Sequence, residues 1–303
     1  MINFKFRLVV ILMSVMLLFA CSKKEVQVGS KTFDVSKNYV IAISQSAEKE
    51  SLDSMRQGFV IGMKNLGYLE EVNVTYLYEN AKNNSSYAEQ IAKAYKDKEV
   101  DLFLTIGEKS TVAMCNAEKE KPIVFAGVGN ADRLNLNASN DNVTGVIDSH
   151  LIEERLNFIN VNYPDVKKLG IIYTADDKLA IYDVDYFKFV ATAYDIDIYT
   201  VSITKKEDIT KALDNILPKV DGIALVTDYM IDDVVSDIVT RANAEKKEVF
   251  GDTNEHMKKG AVVATTRDYQ LVGEKSATIV DQILKGNKKA NEIKIDTVSF
   301  KIS

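Results

Sequence analysis

Histidine and cysteine are scarce in this chain, with two of each. With His150 and His256 as the only imidazoles, a zinc site of the ordinary kind is not expected. Cys21 and Cys115 are too few for a disulfide framework. Cys115 lies in Thr111-Val112-Ala113-Met114-Cys115, a pattern that reads as a helix face packed on a core and not as a reactive thiol. Long apolar runs are also missing: the stretch from Leu8 to Ala20 falls short of the ~20 residues that a bilayer-spanning helix needs. Positive charge is not in excess. A formal charge of −6 argues against broad nucleic-acid binding, which needs clustered Lys and Arg.

Enzyme signatures are missing as well. Gly127-Val128-Gly129-Asn130-Ala131-Asp132 begins like a dinucleotide fingerprint but carries Asp132 where a small residue should let helix and strand approach. Gly107-Glu108-Lys109-Ser110 resembles the end of a phosphate loop, yet Leu102 stands where its first glycine should be. No Gly-x-Ser-x-Gly elbow occurs, and neither histidine adjoins a nucleophile. His150 and His256 read as surface residues. The pairs Asp176-Asp177 and Asp232-Asp233 lack the spacing of a calcium loop and read as helix starts. No catalytic residue, metal or cofactor is expected, and the chain does not read as an enzyme.

What is present begins at the N-terminus. Lys5 and Arg7 precede the short apolar stretch, and Leu18-Phe19-Ala20-Cys21 closes it: a secretory signal peptide over residues 1–20 with a cysteine immediately after the cut. This pattern predicts lipidation of Cys21 and attachment of the mature chain to the outer face of a bacterial membrane. Residues 21–37 are polar and read as a tether, which at this length would reach on the order of 20 Å as a random coil.

From Asn38 onward the pattern is regular. Hydrophobic content of 46% beside 27% charged residues describes an ordinary folded protein, long enough for two domains. Strands are predicted at Val40–Ile43, Val72–Tyr78, Leu102–Ile106 and Pro122–Phe125, with helices between them at Leu52–Leu66, Tyr87–Tyr95 and Glu108–Ala117. A βαβαβαβ rhythm specifies a parallel, doubly wound sheet. The rhythm restarts after residues 130–142 and runs to Leu284, with a last strand in Lys294–Ile302 expected to be antiparallel. Two α/β halves thus share one chain.

Ligands of open parallel sheets bind beyond the carboxyl ends of the strands. Those ends carry Ser44, Gln45 and Glu48, then Gly107 and Ser110, then Gly127, Val128 and Gly129 in the first half. The second half offers Asp148, Tyr173, Asp228 and Asp252. A helix start at Gly107–Thr111 suits a small anion, and the aspartates suit an ammonium group, so a zwitterionic amino acid fits both poles. Each aspartate reads equally well as a helix cap, and Tyr173 either faces the cleft or closes its strand.

The series Ile43-Ser44-Gln45, Arg56-Gln57-Gly58-Phe59, Leu66-Gly67-Tyr68, Val100-Asp101-Leu102, Pro122-Ile123-Val124-Phe125 and Asn142-Val143-Thr144-Gly145-Val146 resembles the ABC transporter substrate-binding lipoproteins of the TrpX type. Lys168 to Tyr173, Val220-Asp221-Gly222-Ile223, Thr227-Asp228 and Gly260-Ala261 extend the resemblance over most of Tyr39 to Gly286. It implies a type I periplasmic-binding fold: two doubly wound parallel-sheet domains joined by a three-segment hinge that closes over a small molecule, in this family an amino acid, aromatic ones among them. It places Ser44, Gln45, Gly107, Ser110, Gly127 to Gly129, Asp148, Asp228 and Asp252 along the cleft. Tyr229 stands where the family has a smaller polar residue, and would either stack on an aromatic ligand or fill its space. The lobes are expected at 38–147 plus 254–281 and at 148–253 plus 282–303. The expected partner is an ABC permease, with no nucleic acid, and a monomer is expected. A sensor reporting to a membrane receptor, or an extracytoplasmic enzyme, are the alternatives.

Overall fold

The computed structural model describes residues 25–28, 31–34, 36–129, 131, 134, 136, 141–148, 152–263, 265–286, 288–298 and 301–302. Residues 1–20, read as a signal peptide, and Cys21 and His150 lie outside the described residues. Within the segment read as a tether, Glu25–Val28 pairs antiparallel with Lys31–Asp34. Val26, Val28 and Thr32 supply strand propensity that the polar composition of the segment obscures.

The first lobe is a six-stranded parallel sheet. Its strands are β1 (Tyr39–Gln45), β2 (Val74–Asn80), β3 (Leu102–Ile106), β4 (Ile123–Val128), β5 (Val143–Ile147) and a late strand at Asp296–Thr297. Their spatial order is Asp296–Thr297, β5, β4, β3, β1, β2. Side chains alternate between faces along each strand, and in the inner strands β3 and β4 both faces are covered, so these are almost continuously apolar. Ile41, Ile43, Leu102, Leu104, Val124 and Ala126 pack under α1 (Glu50–Leu66), while Ala42, Phe103, Ile123 and Phe125 pack under α2 (Ser85–Lys96) and α3 (Glu108–Ala117). Cys115 is buried in that second layer, where burial pushes its thiol up to about 12, as an inert core residue would have it.

The second lobe repeats the plan. α4 (Ile152–Asn162), β6 (Lys168–Thr174), α5 (Lys178–Ala191), β7 (Asp197–Ile203), α6 (Ile209–Ile216), β8 (Gly222–Ala224), α7 (Tyr229–Ala244), β9 (Glu248–Gly251), α8 (Asn254–Lys258) and β10 (Val262–Val263) follow in order. The five strands are parallel, arranged β10-β9-β8-β6-β7.

Chain crossings differ from the expected ones in two places. Residues 254–263 belong to the second lobe, because β10 pairs in parallel with β9 through the short α8 crossover. The chain therefore crosses back after Val263, through β11 (Thr265–Thr266), and not at Asp252. It then enters α9 (Tyr269–Leu284), which lies along α1. Gly58 and Gly273 permit that contact: a Cβ on Gly273 would stand 1.9 Å from the Met55 carbonyl oxygen, and one on Gly58 2.1 Å from that of Gln270. Residues 282–303 do not return to the second lobe as a block. The strand at Asp296–Thr297, β12, extends the first sheet in parallel beside β5, held by Thr144 Oγ1 donating to the Ile293 carbonyl at 2.9 Å and by Lys275 paired with Asp296 at 2.8 Å. An open edge on β5 is a ready partner for whichever strand α9 delivers. Beyond it, β13 (Lys301–Ile302) is antiparallel, with β11 as its partner.

Candidate functional site

The carboxyl ends of both sheets face one another, and side chains bridge the gap. Lys49, just before α1, pairs with Asp233 on α7 at 2.7 Å, and Lys109 on α3 pairs with Asp177 at 3.3 Å. Asp233 also takes Lys206; partial burial works the other way, but the two lysines hold its carboxyl below the usual range. The lobes are closed on each other. Between them lies a cavity lined from the first lobe by Ser51, Leu52, Met55, Glu108, Gly127 and Asp148, and from the second by Tyr229, Asp232, Asp252, Thr253 and His256.

Asp252 follows β9 and is 1% exposed. Three cations converge on it. Arg155, on the buried stripe of α4, donates through Nη2 to the carbonyls of Leu225 and Phe250 at 2.6 and 3.1 Å, and its Nη1 lies 3.9 Å from Asp252 Oδ2. Arg267, on the crossing segment, donates to the Asp252 carbonyl. His256 lies one helical turn after Asp252, placed there by Thr253, whose hydroxyl accepts from the His256 amide at 3.0 Å as the cap of α8. Its Nε2 is 2.8 Å from Asp232 Oδ1 and its Nδ1 3.1 Å from Asp252 Oδ1. Burial disfavours the imidazolium, but hydrogen bonds and charge from Asp232 and Asp252 outweigh it and raise His256 to about 9. With both ring nitrogens protonated, the 3.1 Å approach to the Asp252 carboxylate is the hydrogen bond, and the 3.3 Å contact of Nδ1 with the Asp252 amide is not.

Asp148, directly after β5, faces this cluster from the first lobe. It is 8% exposed, and among the described residues its Oδ1 has no hydrogen-bond partner. A buried carboxylate oxygen left unpaired is costly, so the site is arranged for a donor that arrives with a ligand. Tyr229 closes the cavity from the second lobe. Burial, then the charges of Asp232 and Asp148, push its phenol well above its ordinary value and keep it protonated. Its ring lies 5.7 Å from both Lys49 Nζ and Lys109 Nζ. Gly107 makes room for it: this residue has φ +85°, and a Cβ there would stand 3.3 Å from the Tyr229 hydroxyl and 2.7 Å from Ser46 Oγ.

The structure brings Gly127, Asp148, Tyr229 and Asp252 together at the cavity wall, with Gly107 behind Tyr229. Others of the sequence candidates hold the frame. Ser44 Oγ donates to Ser110 Oγ at 3.0 Å, both buried. Gln45 Nε2 donates to Ala47 O at 2.7 Å and Asp53 Oδ1 at 2.9 Å. Val128 packs in the core, and the Gly129 amide donates to Glu108 Oε1 at 3.2 Å. Tyr173 packs half-buried against the second-lobe core. Asp228 caps α7, accepting from Met230 N and Ile231 N, and also takes Thr174 N and Oγ1 at 2.6 and 2.8 Å; it lines an outer groove on the far side of Lys109. Glu48 is exposed, and its neighbour Lys49 bridges the lobes. His256 is a correction: it is a buried wall residue, not a surface one, because Thr253 caps α8 and turns the ring inward. Arg155 carried a signal that sequence reading passed over, a lone cation on the apolar stripe Ile152, Leu156, Ile159. Among the described residues, no group of His, Cys, Asp and Glu could hold a metal ion.

Two α/β lobes closed over a cavity whose wall joins apolar surface to a few buried charged groups define a solute-binding protein. The family model for ABC transporter substrate binding proteins matches residues 40–302, and the chain belongs to that family. Its members are solute-binding proteins and not enzymes, and they work outside the cytoplasm. A protein of Clostridioides difficile named tyrosine-binding protein is 26% identical over 94% of this chain and 85% of its own. Among solved structures, a conserved domain protein of Vibrio cholerae matches with TM-score 0.80 and 28% identity, covering 88% of this chain and 92% of that one. An ABC domain from Streptococcus pneumonia in complex with L-Trp matches at 0.78 and 22%, covering 87% and 90%. A leucine-binding protein of Thermotoga maritima matches at 0.67 and 13%, covering 84% and 85%, and shows the same type I periplasmic-binding fold.

Proposed function

We propose that this chain is the extracytoplasmic solute-binding lipoprotein of an ABC importer, held to the membrane through Cys21, and that it captures an amino acid with an apolar or aromatic side chain. Asp148 carries the reading. Its buried, unpartnered oxygen offers an acceptor to the ammonium group, with Asp252 positioned opposite by His256, Arg155 and Arg267. Leu52, Met55, Tyr229 and Tyr269 supply apolar surface for the side chain. The names of the tyrosine-binding relative and of the L-Trp complex support an aromatic ligand. Closure is stabilised when a ligand touches both lobes, and the closed form is what a permease would recognise.

Thermal-shift screening of the chain from Ser22 onward against amino acids, nucleosides and sugars tests the ligand class. A ligand at about 100 times its dissociation constant adds roughly 2.7 kcal/mol of stability. A shift with sugars or nucleosides and none with amino acids overturns the assignment. For the anchor, incorporation of labelled fatty acid in cells should vanish with Cys21→Ser.

A further inference from the structure

α1 has no side-chain cap of its own. Lys49 occupies the cap position with extended backbone and makes no capping bond. The first amides of an α-helix lack partners within it and form the positive end of its dipole. Here the Ser51 amide, in the first turn, donates to Glu255 Oε1 at 2.6 Å. Glu255 stands on α8 of the opposite lobe, and Lys258 beside it pairs with Glu50. The carboxylate at this helix terminus is thus supplied by the protein.

The charge of the cavity points the same way. Six carboxylates line it against Lys109 and His256, with Arg155 and Arg267 behind Asp252. Lys109 is taken by Asp177, and His256 by Asp232 and Asp252. A ligand carboxylate would meet surplus negative charge in a buried setting, where repulsion is poorly screened. An ammonium group would meet Asp148 Oδ1, more than nine-tenths buried and without a hydrogen-bond partner among the described residues.

We propose that Glu255 occupies the place a ligand's carboxylate would take at the α1 terminus, so that the cleft reads its ligand by ammonium group and apolar body and is indifferent to the α-carboxylate. Glu255 is then a specificity-determining residue that also joins the lobes. This inference rests on the reading of the cleft as a site for an amino-bearing ligand.

Calorimetric titration of the full chain, purified in detergent, with matched pairs tests it: L-tyrosine and tyramine, L-tryptophan and tryptamine, L-leucine and 3-methylbutylamine. In a pair that binds, the amine should bind as tightly as its amino acid, to within about tenfold, or more tightly. Glu255→Ala should shift the ratio of affinities towards the amino acid by about tenfold or more. Glu255→Gln, which keeps the shape and removes the charge, should shift it in the same direction. A larger preference for the amino acid in the unmodified chain, or an unchanged ratio in both variants, overturns the proposal. If the amino acids bind and the amines do not, this inference alone fails. If no member of any pair binds, it fails together with the functional reading.

Discussion

Asp252, His256 and Asp232 form a buried chain of carboxylate, imidazolium and carboxylate, and its charge state depends on folding. The unfolded imidazole titrates near its ordinary value of 6.5, whereas the folded one titrates at about 9. A folded value above the unfolded one means that this stabilisation is fully present below about pH 6.5 and disappears as pH rises through about 9. The difference corresponds to about 3 kcal/mol. Chemical denaturation at pH 6 and pH 9.5 should show a loss of that order in the unmodified chain and a much smaller one in His256→Gln; equal losses would show that the imidazolium contributes nothing. Asp228 has a different task. It satisfies two amides of α7 and both donors of Thr174, so Asp228→Ala should lower stability by about 2 kcal/mol or more while ligand affinity changes by less than about tenfold, measured by calorimetry. Its role as a cap was one of two readings that the sequence left open, since an aspartate before a helix looks alike in both.

At the scale of elements, α1 is held from three directions: by β3 and β4 beneath it, by α9 along it, and by α8 at its start. The α1–α9 seam relies on backbone contact at Gly58 and Gly273, while the crossing falls after Val263 because β10 first pairs with β9. Gly273→Ala places a Cβ 1.9 Å from the Met55 carbonyl. The helices would have to part, with a loss of about 1–3 kcal/mol expected in denaturant titration and no change in which ligands bind. Element order was legible because apolar runs for strands and 3.6-residue stripes for helices are local patterns: Leu102–Ile106, Leu52–Leu66 and Glu108–Ala117 fall where periodicity puts them. The last segment was legible only in part: the strand read over Lys294–Ile302 splits in two, and of the two pieces Lys301–Ile302 is the antiparallel one. Asp296–Thr297 has no pattern of its own and joins the first sheet because β5 offers a free edge within reach of the chain leaving α9.

For the whole molecule, closure rests on contacts between lobes: Lys49 with Asp233, Lys109 with Asp177, and Ser51 with Glu255. The two ion pairs are each partly exposed and individually weak, so Asp233→Asn should reduce apparent affinity by less than about fivefold. Asp148→Asn acts on the ligand itself and should weaken binding by more than about tenfold. Small-angle scattering adds an independent readout. Ligand should lower the population of extended conformers in the unmodified chain, and Asp233→Asn should raise it in the ligand-free state; an unchanged radius of gyration in both comparisons would mean that these contacts do not govern the hinge.

Sequence alone determined the two parallel α/β halves, the strand ends as the region of interest, and Asp148, Asp252 and Tyr229 as candidates there, because strand and helix periods and the direction of a parallel sheet are local properties. Tertiary structure decided which of those candidates share a cavity. Ser44, Ser110 and Asp228 face partners distant in the chain, Gln45 turns back to Ala47 and Asp53, and His256, Arg155 and Glu255 acquire their roles only through residues on other elements. Hydrogen bonding and charge pairing act over a few ångströms of space, and that distance is set by packing and not by position along the chain.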